Sequence, residues 1–305
     1  MRILGFREYG GPEVLSELDV PDPSPGDGQV LIELRASGIN PANIKVRNGA
    51  NPAFPVEFPM AVGREAAGVI TAVGPGITTW AAGDEVFGSA AAGTGTVAER
   101  VLLNAASTAR KPAALTWEQA ASIPVSVGTA YDAIDQLGLD RGSTLLVVGA
   151  GGGVGSSAVQ IAAARGIRVI GAASAAKSDD VAAYGAVPVA SGAGWVERAR
   201  AAAGGPVDAV FDTVGFDVLR EAVTLLRPGG PVLSIASGDV AAEYGGGGVE
   251  RRRTTEVFEA CARLATTPQL DIVIGASYPF EQAAQAVADV ESGHARGNVV
   301  VTRSS

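Results

Sequence analysis

Two kinds of hydrophobic spacing divide this chain. Up to about residue 118, short apolar runs alternate with polar positions and are cut by Gly/Pro turns. Ile3–Phe6 predicts a first strand, closed by Gly10-Gly11-Pro12. Pro21–Gly28 is a dense Pro/Gly/Asp loop. From Val30 the alternation is regular. Val30, Ile32, Leu34 and Ala36 fall on one face and Glu33, Arg35 and Ser37 on the other, the pattern of a half-buried strand. Gly68–Val73, Glu85–Phe87 and Thr96–Leu103 predict further strands, with the small-residue run Ser89–Gly95 as a surface loop. Short strands between Gly/Pro turns predict a barrel-like, mostly-β domain.

Lys111-Pro112 marks a junction, after which Thr116 is placed to cap a helix beginning at Trp117. Helical spacing continues through Thr129 to Leu137. Strands and helices then alternate: Thr144–Val148, Ser156–Arg165, Arg168–Gly171, Ala175–Tyr184, Val187–Ala190, Trp195–Ala203, Val207–Asp212, Asp217–Leu226 and Gly230–Ile235. This order predicts an α/β fold, a Rossmann-type doubly wound parallel sheet. Pro188 lies inside the third strand, and proline belongs on an edge, where the third strand sits in the order 3-2-1-4-5-6. Gly245–Gly248 predicts a mobile loop, and Arg251–Arg253 a solvated helix start. A helix to about Thr266, a strand Leu270–Ile274, a helix Pro279–Ser292 and a last strand Asn298–Thr302 complete the chain.

Composition narrows the classes. With 305 residues, 47% hydrophobic and 18% charged, the chain is long enough for two packed domains. A net charge of -9 argues against nucleic acid or an anionic membrane as partner. No apolar run reaches the roughly 18 residues of a membrane span, and MRILGFREYG lacks the long apolar core expected of a signal peptide. A cytoplasmic protein is expected. Its single cysteine, Cys261, lies in a helical pattern with Val257, Phe258 and Leu264 and reads as core filling.

The chemistry-bearing stretch is TLLVVGAGGGVGSSAVQIAAAR, Thr144–Arg165. A buried strand leads into Gly149–Gly155, which holds five glycines in seven residues, and a helix follows. Such a turn lets a backbone approach a pyrophosphate, and the helix N-terminus offers unpaired N–H groups and a positive dipole end to it. An NAD-specific site usually has an acid after the second strand, about 20 residues on. Here Val169-Ile170-Gly171-Ala172-Ala173-Ser174 holds none, and Ser174 and Lys177 offer a hydroxyl and a cation suited to a 2′-phosphate. The expected cofactor is NADPH rather than NADH. A solvated helix lysine is the other reading of Lys177.

Several stretches together resemble the zinc-free quinone oxidoreductase (zeta-crystallin-like) branch of the medium-chain dehydrogenase/reductase superfamily. They are ASGINPANIKVRNG from Ala36, VGREAAGVITAVGPGI from Val62, GDEVFG from Gly83 and PAALTWEQAASIPVSVGTAYDAI from Pro112. The glycine turn, LRPGG from Leu226 and YPFEQAAQAVADVESGHARGNVVV from Tyr278 follow in the same order. The resemblance implies a GroES-like, mostly-β catalytic domain from residues 1–118 and about 267–305, with a Rossmann NADP-binding domain at about 119–266. It also implies a homodimer or tetramer. Zinc-dependent relatives carry cysteine in the Gly38–Asn43 region and Gly-His-Glu near Val62–Ala66. This chain has no cysteine there and reads Gly63-Arg64-Glu65, with its only histidine at His294. Arginine stays protonated and does not ligate zinc. No metal site is expected.

The resemblance also implies roles residue by residue. Asn40 matches an asparagine near nicotinamide and substrate, and Thr129 a threonine lining the nicotinamide pocket. Gly152, Gly153, Val154 and Gly155 match the pyrophosphate turn, whose opening small residue falls at Gly149 or Ala150. Ser174 and Lys177 match the 2′-phosphate site. Val214, Ala236 and Ser237 follow the fourth and fifth strands, and Asn298 stands where many relatives have lysine. Asn40, Lys45 and Arg47 are the candidates to stand near an acceptor oxygen. Each has a second reading: Asn40 as a brace for the loop at Pro41, Lys45 and Arg47 as surface charges. Loops such as Gly49–Pro59 and Gly245–Val249 are expected to line the acceptor pocket. The activity implied is hydride transfer from NADPH to a quinone or other electron-poor acceptor, a small molecule. Reduction of an enone or alkenal C=C bond, and nucleotide binding with little catalysis, remain open beside it.

Overall fold

The computed structural model describes residues 1–50, 54 and 56–304. In chain order the strands and helices begin β1 (Arg2–Phe6), β2 (Ser16–Asp19), β3 (Gln29–Ile39), α1 (Pro41–Arg47), β4 (Met60–Ala61), β5 (Glu65–Val73), β6 (Glu85–Ala90), β7 (Arg100–Arg110), α2 (Trp117–Ala121) and α3 (Gly128–Gln136). There follow β8 (Thr144–Val148), α4 (Gly153–Ala164), β9 (Arg168–Ala173), α5 (Ser178–Ala183), β10 (Ala186–Ala190), α6 (Trp195–Ala203), β11 (Ala209–Asp212) and α7 (Phe216–Ala222). The chain ends with β12 (Val232–Ser234), α8 (Gly238–Ala242), α9 (Thr255–Ala265), β13 (Ile274–Pro279), α10 (Ala283–Glu291) and β14 (Asn298–Thr302). Two compact units result. One comprises Met1–Val125, Arg253–Thr266 and Ile272–Ser305, the other Ser126–Arg252 and Thr267–Asp271.

The first unit is built on β3. Val30, Ile32, Leu34 and Ala36 are all fully buried, as the alternation predicts. β3 pairs antiparallel with β5 along Val30–Gly38 and with β7 along Gln29–Glu33. Because β5, β6 and β7 follow one another antiparallel, these four strands close into a ring. Two register shifts, at Leu31/Ile32 and Leu34/Ala36, bend β3 enough for this. Ser37, expected on the polar face, is buried as well; its hydroxyl donates to the Glu65 carbonyl and shares a hydrogen bond of 2.7 Å with Thr96 Oγ1. Ser89–Gly95 is not wholly a surface loop: Ser89 and Ala90 belong to β6, and Ala91 is buried.

The expected domain limit near residue 266 differs from the observed grouping of α9. Thr255 Oγ1 donates to the carbonyls of Ala106 and Thr108, and Phe258 lies against Phe87 with ring centroids 6.2 Å apart. These contacts join α9 to β6 and β7 of the first unit. Cys261 is buried in the same helix. The strand expected at Leu270–Ile274 begins instead at Ile274 and runs to Pro279, parallel to β14.

In the second unit five parallel strands follow the order β10-β9-β8-β11-β12. The third strand of the sequence, β10 with Pro188, is the edge, so the missing proline N–H costs no ladder bond. At the other edge Gly247 accepts from Ser234 N–H and donates to the Val232 carbonyl. The glycine run expected to be mobile is thus paired to the sheet. A Cβ on Gly246 would lie 1.9 Å from the Val232 oxygen, which explains that glycine. Arg252 is exposed, as expected, and it also pairs with buried Asp132: its backbone N–H and Nε donate to the carboxylate at 2.8 and 2.6 Å.

Arg47 does not stand ready for a ligand, nor does it lie on the surface. Its side chain is 1% exposed and forms a bidentate pair with Glu291 of α10, at 2.6 and 3.1 Å. Its Nε also donates to the Gly10 carbonyl and to Asn48 Oδ1. One guanidinium therefore ties the N-terminal loop, α1 and α10 together. A buried charge that loses its partner is costly. Arg47→Ala is expected to lower unfolding free energy by about 3–5 kcal/mol, read from urea melts; a loss under about 1 kcal/mol would contradict this role. Glu291→Gln should cost less, about 1.5–3 kcal/mol, since Glu291 is partly exposed.

Candidate functional site

The glycine turn of the second unit follows from three separate demands. Gly149 sits at φ 81°, a conformation that favours glycine. Gly155 lies where a Cβ would come 2.1 Å from the Gly149 carbonyl oxygen, so helix α4 can approach the turn only with glycine there. Gly152 is different. Its φ of -91° suits any residue, and a Cβ would meet only the Gly149 oxygen at 3.6 Å. Neither backbone nor internal packing accounts for that glycine, so the space it leaves open faces outward. The ladder of α4 begins with Ser156 N–H on the Gly152 carbonyl. The N–H groups of Gly153, Val154 and Gly155 precede it at the positive end of the helix. These residues fit a pyrophosphate.

β9 ends at Ala173, and exposed Ser174 precedes a short 3-10 turn, Ala175–Lys177, whose Lys177 N–H donates to the Ser174 carbonyl at 2.9 Å. The Lys177 stem crosses the glycine turn: a Cβ on Gly151 would lie 2.5 Å from its Cδ. The fold thus brings Ser174 and Lys177 to the same turn as Gly151. The acids Asp179 and Asp180 lie one step further, in α5.

The ends of β11 and β12 are joined by a network the sequence alone does not show. Buried Asp212 accepts the N–H groups of Val214 and Gly215 on Oδ1, both at 3.0 Å, and the Ser234 hydroxyl on Oδ2 at 2.6 Å. Ser234 Oγ in turn accepts from the N–H groups of Ala236 and Ser237, and Ser237 Oγ accepts from Phe216 N–H. Val214, Ala236 and Ser237 are therefore held together at the carboxyl edge of the sheet. An Asp and a Ser at the ends of neighbouring strands are the only sequence signal for this. Thr129 is buried, at the start of α3.

In the first unit, Asn40 is buried between β3 and α1. Its backbone N–H donates to Asn43 Oδ1 at 2.7 Å, which starts the helix, and its Nδ2 donates to Glu65 Oε1 at 2.6 Å. The other Glu65 oxygen accepts Val125 N–H at 2.7 Å. Burial pushes the Glu65 carboxyl up to about 7, against the two hydrogen bonds and the charge of Arg253, which pull it down. In the sequence Glu65 stands only as the end of Gly63-Arg64-Glu65, and no local signal announces its pairing with Asn40. Lys45 is exposed in the last turn of α1. Asn298 is spent on the fold, its Nδ2 and N–H both donating to the Val273 carbonyl. Arg64 stacks over the Phe54 ring at 3.8 Å. The Gly49–Pro59 loop, expected to line the acceptor pocket, includes residues 51–53 and 55, which lie outside the described residues.

Among the described residues no three His, Cys, Asp or Glu side chains cluster as metal ligands, and no helix is long and apolar enough to cross a membrane. What the residues offer is a phosphate cradle with a nearby cation in one unit, and an amide held by a buried carboxyl in the other.

Comparison with known proteins gives this arrangement its family. Residues 26–113 match the family described as alcohol dehydrogenase GroES-like domain, and residues 177–301 the family described as zinc-binding dehydrogenase. The chain is 31% identical over 313 residues to a quinone oxidoreductase of Pongo abelii, covering 96% of this chain and 94% of that protein. It is 37% identical over 231 residues to the pikromycin polyketide synthase component PikAII of Streptomyces venezuelae, a match over 74% of this chain and only 6% of that protein. The solved structure of Escherichia coli quinone oxidoreductase complexed with NADPH has a TM-score of 0.87 at 26% identity, covering 99% of this chain and 100% of that one. With a mostly-β unit closed around β3, a parallel dinucleotide-type sheet and this similarity along nearly its whole length, the chain belongs to the zinc-free quinone oxidoreductase branch of the medium-chain dehydrogenase/reductase superfamily.

Proposed function

We propose that this protein is a zinc-independent, NADPH-dependent oxidoreductase that passes hydride to a quinone or another electron-poor small molecule. The observation that carries the reading is Gly152, a glycine with no internal cause beside a helix N-terminus, with Lys177 laid across the same turn. When bound, NADPH supplies the hydride. The chain's own part is to hold the pyrophosphate on the N–H groups of Gly153 to Gly155 and the 2′-phosphate on Ser174 and Lys177. Val214, Ala236 and Ser237 line the edge that the Asp212 network stiffens. Arg64 in place of a histidine, and the lack of any cysteine before Cys261, leave no zinc donor set. Without a Lewis acid, acceptors already electron-poor are the ones within reach. Asn40 is the polar group proposed near the reacting atoms; Lys45 stays a candidate at the rim, and Arg47 is set aside because its donors are taken by Glu291, Gly10 and Asn48.

The deciding assay follows NADPH consumption against a panel of quinones and a panel of enones. Turnover with quinones is expected; turnover with enones alone would move the assignment to C=C reduction, and binding without turnover in either panel would defeat the enzymatic reading. Titration of both nucleotides should show NADPH bound more tightly than NADH. Lys177→Ala should weaken NADPH roughly 10-fold or more, as loss of a charge-assisted bond does, while leaving NADH within about twofold; equal losses for both would remove Lys177 from the 2′-phosphate site. The glycines separate fold from ligand. Gly152→Ala should leave urea stability within about 1 kcal/mol yet reduce NADPH affinity, whereas Gly155→Ala should reduce both.

A further inference from the structure

The outer face of the ring formed by β3, β5, β6 and β7 carries a row of polar groups that packing alone does not explain. The ring interior takes Ala66, Ile70 and Val86. Alternation along the strands therefore turns Glu65 and Ala67 of β5, and Phe87 and Ser89 of β6, to the other side. Phe258 of α9 covers that side at Phe87, and the Val125 N–H meets it at Glu65. Glu65 and Ser89 are paired directly across the strands. Gly88 pairs with Thr108, so Ser89 and Ser107 follow side by side before the register shifts. Ser107 Oγ donates to the Arg253 carbonyl at 2.6 Å. Arg253 is thereby set at the end of the row, just ahead of Thr254, the cap of α9. Adjacent strands lie about 4.8 Å apart, so Ser89 and Glu65 are within the reach of an arginine side chain that starts there. The charge of Arg253 acts on the Glu65 carboxyl, whose hydrogen bonds come from Asn40 and Val125.

Two members of this row weigh against stability. Among the described residues nothing hydrogen-bonds to the Ser89 hydroxyl, although its oxygen is buried. A buried hydroxyl left so is destabilising. Arg253 has a φ of 35°, in the left-handed region that favours glycine. Backbone strain and unsatisfied polar groups gather where a ligand is held. The ligand that suits a cation and a hydroxyl side by side is an oxygen bearing negative charge. We propose that Arg253, with Ser89 beside it, binds the acceptor oxygen on which negative charge collects as hydride arrives. The inference rests on the function proposed above, which puts Asn40, at the other end of the row, near the reacting atoms. The acceptor takes the hydride in a new bond, its π pair moves onto a carbonyl oxygen, and water supplies the proton that completes the product, while NADPH is oxidised to NADP+. Donors already aimed at that oxygen lower the barrier. A guanidinium has five N–H donors, so it serves the oxygen alongside its other interactions. Burial favours the neutral acid of Glu65, which limits repulsion between the two.

The test uses the full chain and its Arg253→Gly, Arg253→Lys and Ser89→Ala variants. For each, kcat/KM with a turned-over quinone, the Kd of NADPH and the urea midpoint are measured. Arg253→Gly, which also relieves the backbone, should lose about tenfold or more in kcat/KM, with NADPH binding within about twofold of wild type. Arg253→Lys, which keeps the charge, should recover part of that loss. Ser89→Ala should lose kcat/KM at an unchanged or higher urea midpoint. Wild-type kcat/KM in Arg253→Gly, or equal losses of quinone turnover and NADPH affinity, overturns the proposal. A second measurement needs no turnover. The anion of 4-nitrophenol imitates the oxyanion of the reduced acceptor and absorbs visible light, which the neutral phenol does not. Below the phenol's own pKa, wild-type protein should shift it toward the anion, and Arg253→Gly should not. No shift with wild-type protein, or the same shift with Arg253→Gly, overturns it as well. If no acceptor consumes NADPH, the proposed function fails on its own account, and the nitrophenol titration still decides whether Arg253 holds an oxyanion.

Discussion

The first unit depends on β3 being hydrogen-bonded on both sides at once. A strand paired with β5 along most of its length and with β7 at its start cannot shift register without breaking two ladders. That constraint places everything downstream of it. Gly38, near the end of β3, sits opposite Glu65, and Asn40 follows two residues later as the start of α1. β14 completes the arrangement by pairing with Ala36–Ile39 of the same strand. Asn298, at the head of β14, fastens the chain just before β13 through the Val273 carbonyl. Arg47, at the far end of α1, fixes that helix against α10. The position of Asn40 is thus set from both ends, by the sheet before it and by the ion pair after it.

How much of this is legible in the sequence depends on whether the signal is local. The parallel sheet shows itself because each strand is a short apolar run and each helix a separate periodic one. Pro188 even marks the edge, because a missing N–H is a property of one residue. The glycine turn is legible for the same reason, though sequence alone does not tell its glycines apart. Gly149 is needed for its backbone angle, Gly155 for the closeness of the helix, and Gly152 for neither. What stays hidden is pairing across long separations. Arg47 and Glu291 are 244 residues apart, Asn40 and Glu65 are 25 apart, and Asp132 and Arg252 are 120 apart. A charged residue in a helix reads as a surface group until its partner is known. The glycine run at residues 245–248 misleads in the opposite sense. Low side-chain content suggests freedom, whereas Gly246 lies close against the backbone of β12 and Gly247 pairs with it.

The buried Glu65 carboxyl makes stability depend on pH with a definite sign. Its pKa is 4.5 when unperturbed and about 7 in the folded chain. Between those values the folded state keeps a proton that the unfolded chain has already released. The unfolded state then binds fewer protons, so stability from this group is full below the lower value and declines as pH rises toward the higher one. At neutral pH the protein thus bears a cost that a glutamine in the same place would avoid. Pure packing would not select a group whose charged form is disfavoured by burial. The charged form is held by the Asn40 amide and the Val125 N–H, which offset part of that burial cost and tie β5 to the start of α1.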